Sequence, residues 1–195
     1  MKMNRSLCLL WLLAFALVLS GSPLRAAQST AAKSDAPVTV TDNGRTWTLD
    51  NGIVQATISK NNGMLTSLIY RGYDTGSHGV WEHTPQGAPQ LTNTVTIDPK
   101  TNGGARAEVS IKGIGGGTYM FTRNAPGGGT LCDVELRYSL GRGDHGIYTY
   151  AIYNHPASYP AAGVGAEDRF IDYLSKSFDW ITVDKDRNML EAAPT

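Results

Sequence analysis

The chain has 195 residues, with 17 basic and 17 acidic side chains, 41% hydrophobic residues, 22 glycines, 9 prolines and 2 cysteines. That length allows one domain, or one and a fragment, and a chain this apolar and lightly charged is neither a disordered tail nor a coiled coil. Balanced charge gives no phosphate-seeking field, so nucleic acid is not an expected partner.

Residues 1 to 26 read as a secretory signal. Lys2 and Arg5 precede an apolar run from Leu7 to Leu19, then Ser20 to Pro23 break it, and Leu24-Arg25-Ala26-Ala27 offers a small-residue cleavage site. The run is shorter than the roughly 20 residues a stable bilayer span needs, so the expectation is export and release, outside the cell or in the periplasm. An uncleaved N-terminal anchor is the alternative. Cleavage removes Cys8 and leaves Cys132 alone, which rules out an internal disulfide in the mature chain. Residues 27 to 37 read as a flexible leader, and residues 38 to 195 as the folded part, expected as a monomer.

From Val38 onward, short β-rich runs alternate with turn residues. Val38 to Thr41 ends in Asp42-Asn43-Gly44, Thr46 to Leu49 in Asp50-Asn51-Gly52, Ile53 to Ile58 in Asn61-Asn62-Gly63, and Met64 to Tyr70 in Arg71-Gly72. Asn-Gly steps between apolar runs predict hairpins, because both residues tolerate positive φ. Further strands are predicted at Ala107–Ile111, Leu131–Leu140, Gly146–Tyr153, Arg169–Leu174 and Phe178–Val183. Along Leu131–Leu140, Cys132, Val134, Leu136, Tyr138 and Leu140 alternate with Asp133, Glu135, Arg137 and Ser139, which predicts one core face and one polar face. The triple glycines at 115–117 and 127–129 lack the Lys-Ser/Thr and following helix of a phosphate loop and read as hairpin loops. Asp184, Asp186 and Asn188 fail as a calcium loop, since Met189 stands where the sharp-turn glycine belongs. No metal or other cofactor is expected. The predicted fold is all-β, a large antiparallel sandwich.

Two stretches resemble known sequences. Leu49 to Ile58 with Gly63 to Leu68 is similar to the start of galactose-mutarotase-like sugar-binding sandwiches. Arg137-Tyr138-Ser139-Leu140-Gly141-Arg142-Gly143-Asp144-His145-Gly146-Ile147-Tyr148-Thr149-Tyr150-Ala151-Ile152-Tyr153 is followed by His155 to Pro160, Arg169-Phe170 and Phe178-Asp179-Trp180. Together these resemble the N-terminal catalytic domain of rhamnogalacturonan lyases of polysaccharide lyase family 4, over roughly residues 38 to 195. The resemblance implies a galactose-mutarotase-like sandwich that is here incomplete, a pectic substrate (rhamnogalacturonan I), and cleavage of rhamnose–galacturonate bonds by β-elimination.

That chemistry needs a cation on the uronate carboxylate and a base for its C5 proton. Arg142, in the Gly141–Asp144 turn, is the candidate carboxylate partner, with a solvated Arg142–Asp144 pair as the alternative. Tyr148 and Tyr150 share a strand face and are candidate sugar-stacking residues; core packing is the alternative for each. The family's lysine base follows the Arg-Phe pair, and Tyr173 stands at that position here. The family's histidine lies further along than this sequence runs. The resemblance therefore leaves open an inert carbohydrate-binding sandwich. An aldose-epimerase-like enzyme would instead use a histidine with one of Glu82, Glu108, Glu135, Glu167 or Glu191.

Overall fold

The computed structural model describes residues 35–118, 120–121, 129–161, 168–176, 178, 180–182 and 188–190. The signal, most of the leader and most of the 184–188 turn lie outside these residues. The described strands are β1 (Thr39–Asp42), β2 (Thr46–Asp50), β3 (Val54–Ser59), β4 (Leu65–Tyr70), β5 (Tyr73–Asp74), β6 (His78–Trp81), β7 (Gln90–Ile97) and β8 (Arg106–Ile114). They continue with β9 (Met120–Phe121), β10 (Gly129–Thr130), β11 (Asp133–Gly141), β12 (Tyr148–Asn154), β13 (Phe170–Tyr173), β14 (Trp180–Thr182) and β15 (Asn188–Leu190). One 3-10 turn, Pro99–Thr101, is capped by the Asp98 carboxylate, and no α-helix occurs among the described residues. The fold is all-β, as the turn-punctuated sequence predicts.

Two antiparallel sheets carry the architecture. The larger has seven strands in the order β1-β2-β3-β4-β6-β13, with β5 beside β4; the smaller runs β12-β11-β8-β7. Two short ribbons, β9–β10 and β14–β15, complete the pairing. Alternation puts Trp47, Leu49, Val54, Ala56, Ile58 and Leu65 of the larger sheet against Ala107, Val109, Ile111, Val134, Leu136, Tyr138 and Leu140 of the smaller in one core. Their side chains are removed from water, and each buried large apolar side chain contributes about 1.5–3 kcal/mol before chain entropy is counted.

Specific polar bonds fix how the sheets face each other. The Tyr138 hydroxyl donates to the Gly63 carbonyl at 2.6 Å, and the Trp81 indole donates to Thr149 on β12 at 3.1 Å. Asn51, fully buried, donates through its amide to the carbonyls of Gly141 and Asp144 at 2.8 and 2.9 Å. Its side-chain oxygen accepts from the backbone of Ile53 and Val54. One side chain thus holds the β2–β3 turn and the β11–β12 turn together.

The early hairpins form where predicted, by a different division of labour. Only the glycines adopt left-handed φ, 79° at Gly44, 78° at Gly52 and 70° at Gly63, while the neighbouring asparagines stay in ordinary backbone. Aspartates act as well: Asp42 and Asp50 each accept from the glycine two residues on, at 2.7 Å. The exception is Arg71, the one non-glycine with positive φ among the described residues, at 51°, immediately before Gly72.

The predicted polar face of β11 forms opposite the core face, but it is largely buried. Asp133, Glu135 and Ser139 are buried, and Arg137 is partly so. β11 pairs with β8 on one side and β12 on the other, so neighbouring side chains roof both of its faces.

Candidate functional site

The outward face of the smaller sheet carries the densest polar arrangement. On β12, Thr149, Ala151 and Tyr153 turn toward the core; Tyr148, Tyr150 and Ile152 turn out, 60%, 39% and 38% exposed. Arg137 of β11 lies directly opposite Tyr150 on one side and Ser110 of β8 on the other. Its Nε donates to Glu135 at 2.7 Å and its Nη1 to Glu108 at 3.1 Å. The Tyr150 hydroxyl donates to the second Glu108 oxygen at 3.1 Å and accepts from Arg137 at 3.4 Å.

The carboxylates are otherwise satisfied. Ser110 donates to Glu135 at 2.7 Å, Thr96 donates to Glu108 at 2.8 Å, and Lys112 lies 3.7 Å from Glu135. Glu108 and Glu135 are only 5% and 9% exposed, unusual burial for glutamates that pairing makes tolerable. Burial alone raises the Glu135 carboxyl, but hydrogen bonds from Ser110 and Arg137 outweigh it and hold the group below its ordinary value. The Arg137 guanidinium is pushed further up, chiefly by its hydrogen bond to Glu135. Among the described residues its Nη2 makes no hydrogen bond. The site therefore presents a fixed guanidinium, with one donor edge to spare, beside two exposed phenol rings.

The candidates from sequence separate in space. Tyr148 and Tyr150 share the outward face, as their spacing requires. Arg142 does not join them: its backbone N–H donates to Ala105, its Nε to the Gly104 carbonyl and its Nη2 to the Gly103 carbonyl, and its Nη1 lies 3.9 Å from Asp35. Its fork is spent on the loop after the 3-10 turn. Asp144 does not pair with Arg142 either; its carboxylate accepts from the Gly141 backbone at 2.8 Å. Tyr173 belongs to the other sheet, opposite His78 across the β13–β6 ladder, with the rings stacked 4.8 Å apart and 13° from parallel.

Along β6, Gly79 and Trp81 face the core, where the Trp81 ring meets Phe170. His78 and Val80, with their partners Tyr173 and Ile171, therefore face out from the seven-stranded sheet. Here a cavity of about 410 Å³ opens, lined by Asn62, Met64, His78, Val80, Trp81, Thr84, Gln86 and Tyr173. Trp81 turns its ring to the interior, where the indole N–H bonds to Thr149. His145 bonds to the Tyr70 hydroxyl at 3.0 Å, and His155 packs on Tyr159.

Sequence reasoning passed over Arg137 as the cation, and named Glu108 and Glu135 only as candidate acids of an epimerase-like alternative. The signal was present: three charged residues at alternate positions, Asp133, Glu135 and Arg137, ahead of a tyrosine row two positions apart. It was read only as the polar face of a strand, with no functional role.

Among the described residues, no group of three or more His, Cys, Asp or Glu side chains could hold a metal ion, and no helix is long and apolar enough to cross a membrane. No protein-family model, no curated protein and no solved structure matches the chain.

Proposed function

We propose that this chain binds rhamnogalacturonan I along the outward face of its four-stranded sheet, as the exported sandwich of a rhamnogalacturonan-lyase-type protein of galactose-mutarotase-like class. One observation carries the reading. The stretch that resembles those lyases, Arg137 to Tyr153, is the stretch that builds this face. Tyr148 and Tyr150 supply flat apolar surfaces with polar edges for sugar rings. Arg137 supplies a planar cation for a uronate carboxylate, held in place by Glu108 and Glu135.

In the lyase form of this reading, Arg137 draws charge from the galacturonate carboxylate and so acidifies C5. A base removes the C5 proton, and the electron pair left behind forms the C4–C5 double bond as the C4–O bond breaks. The proton required by the departing oxygen comes from an acid or from water. A second reading, binding without cleavage, is favoured by a specific observation: Tyr173, the residue at the base position, faces out from the other sheet.

The experiment titrates the exported chain with rhamnogalacturonan I oligosaccharides and with a neutral glucan, while following absorbance of the conjugated double bond. The pectic ligand binds and the glucan does not, and Tyr148→Ala weakens binding about three- to tenfold. Unsaturated product establishes the lyase form; saturable binding without product establishes the binding form. Equal affinity for both polymers, or affinity indifferent to Tyr148→Ala, refutes both.

A further inference from the structure

We propose that the cavity on the seven-stranded sheet, between the turn at Asn62 and the segment following β6, is a separate binding site for a single neutral sugar ring. It shares no residue with the tyrosine face, so the inference goes beyond the reading above and stands or falls without it.

The lining argues for the ligand class. Met64 and Val80 provide an apolar floor; Asn62, Thr84 and Gln86 provide amide and hydroxyl groups; the stacked His78 and Tyr173 rings form an aromatic wall. A volume of about 410 Å³ lies in the range of small-ligand sites. Among the described residues, none that line the cavity is Asp, Glu, Lys or Arg. A uronate buried here would lose the hydration of its carboxylate with no arginine or lysine among the described lining residues to compensate, which costs far more than burying a hydroxyl that finds a partner. The same asymmetry disfavours amino sugars and phosphates. An apolar floor under a polar rim fits a pyranose ring, whose C–H face and hydroxyl edge differ in the same way, and favours a 6-deoxy sugar, whose methyl group needs no hydrogen-bond partner.

The rim is built before any ligand arrives. The Asn62 amide donates to the Met64 sulfur at 3.0 Å and its oxygen accepts from the Met64 backbone at 3.2 Å, which fixes that turn. The Thr84 hydroxyl accepts from the Gln86 backbone at 3.3 Å, which sets the opposite lip. The Gln86 side-chain amide is exposed and makes no hydrogen bond among the described residues, so both of its polar atoms are free to meet sugar hydroxyls. Val80 is 6% exposed although it faces out from its sheet, because these two segments wall it in.

The test is a titration of the full exported chain with methyl rhamnoside, methyl galactoside and methyl galacturonide, followed by NMR shifts of the lining residues. The rhamnoside should bind saturably and most tightly, the galactoside more weakly, and the galacturonide not at all. Gln86→Ala, an exposed substitution that leaves the core intact, should weaken rhamnoside binding about fivefold or more. Tyr148→Ala should leave it unchanged. Galacturonide binding as well as rhamnoside, no saturable binding of any of the three, or an affinity unmoved by Gln86→Ala would each overturn the assignment. Loss of rhamnoside binding in Tyr148→Ala would move the sugar to the tyrosine face and overturn it as well.

Discussion

Replacing Arg137 with methionine keeps the bulk of the side chain and removes the charge that holds two buried carboxylates in place. Glu108 and Glu135 lose their bonds to Nη1 and Nε, of 3.1 and 2.7 Å, and Glu135 keeps only Ser110 and Lys112, the latter 3.7 Å away. Removing one partner from a buried ionic cluster costs about 3–5 kcal/mol, and the 28% exposure of the Arg137 side chain argues for the lower end. The pH dependence should also change sign. In the native protein Glu135 is held below its ordinary value, so its contribution is full above the unfolded pKa of roughly 4.3 and is lost as pH falls through the lower folded value. In the variant, with the Arg137 hydrogen bond gone and burial left to dominate, Glu135 takes up a proton more readily folded than unfolded, so the deficit at pH 7 shrinks as pH falls toward 5. Urea unfolding of both proteins at pH 7 and pH 5 measures this. A deficit below about 1 kcal/mol at pH 7, or one that does not change with pH, would show the cluster to be solvated and refute the reasoning.

Tyr138→Phe deletes the donor to the Gly63 carbonyl and should cost about 1–3 kcal/mol in chemical denaturation, with rhamnogalacturonan affinity unchanged. Gly63→Ala should destabilise by about 1–3 kcal/mol, because φ is 70° and the new methyl would stand 2.6 Å from the Leu136 Cδ1; a neutral midpoint would mean that the turn re-forms. Arg142→Ala should lower the thermal midpoint modestly, through lost bonds to Gly103 and Gly104, and leave polymer affinity intact. A loss of polymer affinity in Arg142→Ala as large as that in Tyr148→Ala would return the carboxylate contact to Arg142.

Legibility from sequence followed burial. The runs ending in Asp-Asn-Gly and Asn-Asn-Gly are visible because turn chemistry is local, and the predicted bounds of β2, β3 and β4 fall within a residue or so of those observed. Val134 to Leu140 is visible because one face is wholly apolar. β7, reading Gln-Leu-Thr-Asn-Thr-Val-Thr-Ile, is not, since it is an edge strand with mostly exposed positions and little apolar alternation to detect. β6 is short and includes Gly79, where a Cβ would stand 2.2 Å from the Phe170 ring; close packing of that kind leaves no periodic trace. The candidate site was half legible. A two-residue period puts Tyr148 and Tyr150 on one face, but which arginine joins them depends on a three-dimensional neighbour, Glu108, nearly thirty residues earlier in the chain.

The four hydrogen bonds of Asn51 bear on the order in which the chain folds. The first three hairpins close through neighbours a few residues apart and need nothing from elsewhere. The β11–β12 turn has its own bonds between Gly141 and Asp144, but the partner of its Gly141 and Asp144 carbonyls lies some ninety residues upstream, so these carbonyls are fully satisfied only once the β2–β3 turn is in place to offer that amide. Closing so long a loop costs entropy before any bond repays it. The hairpins β1 to β4 therefore serve as the template and the β11–β12 pair as the later arrival, the order in which a ribosome presents them, while β13 joins the larger sheet last.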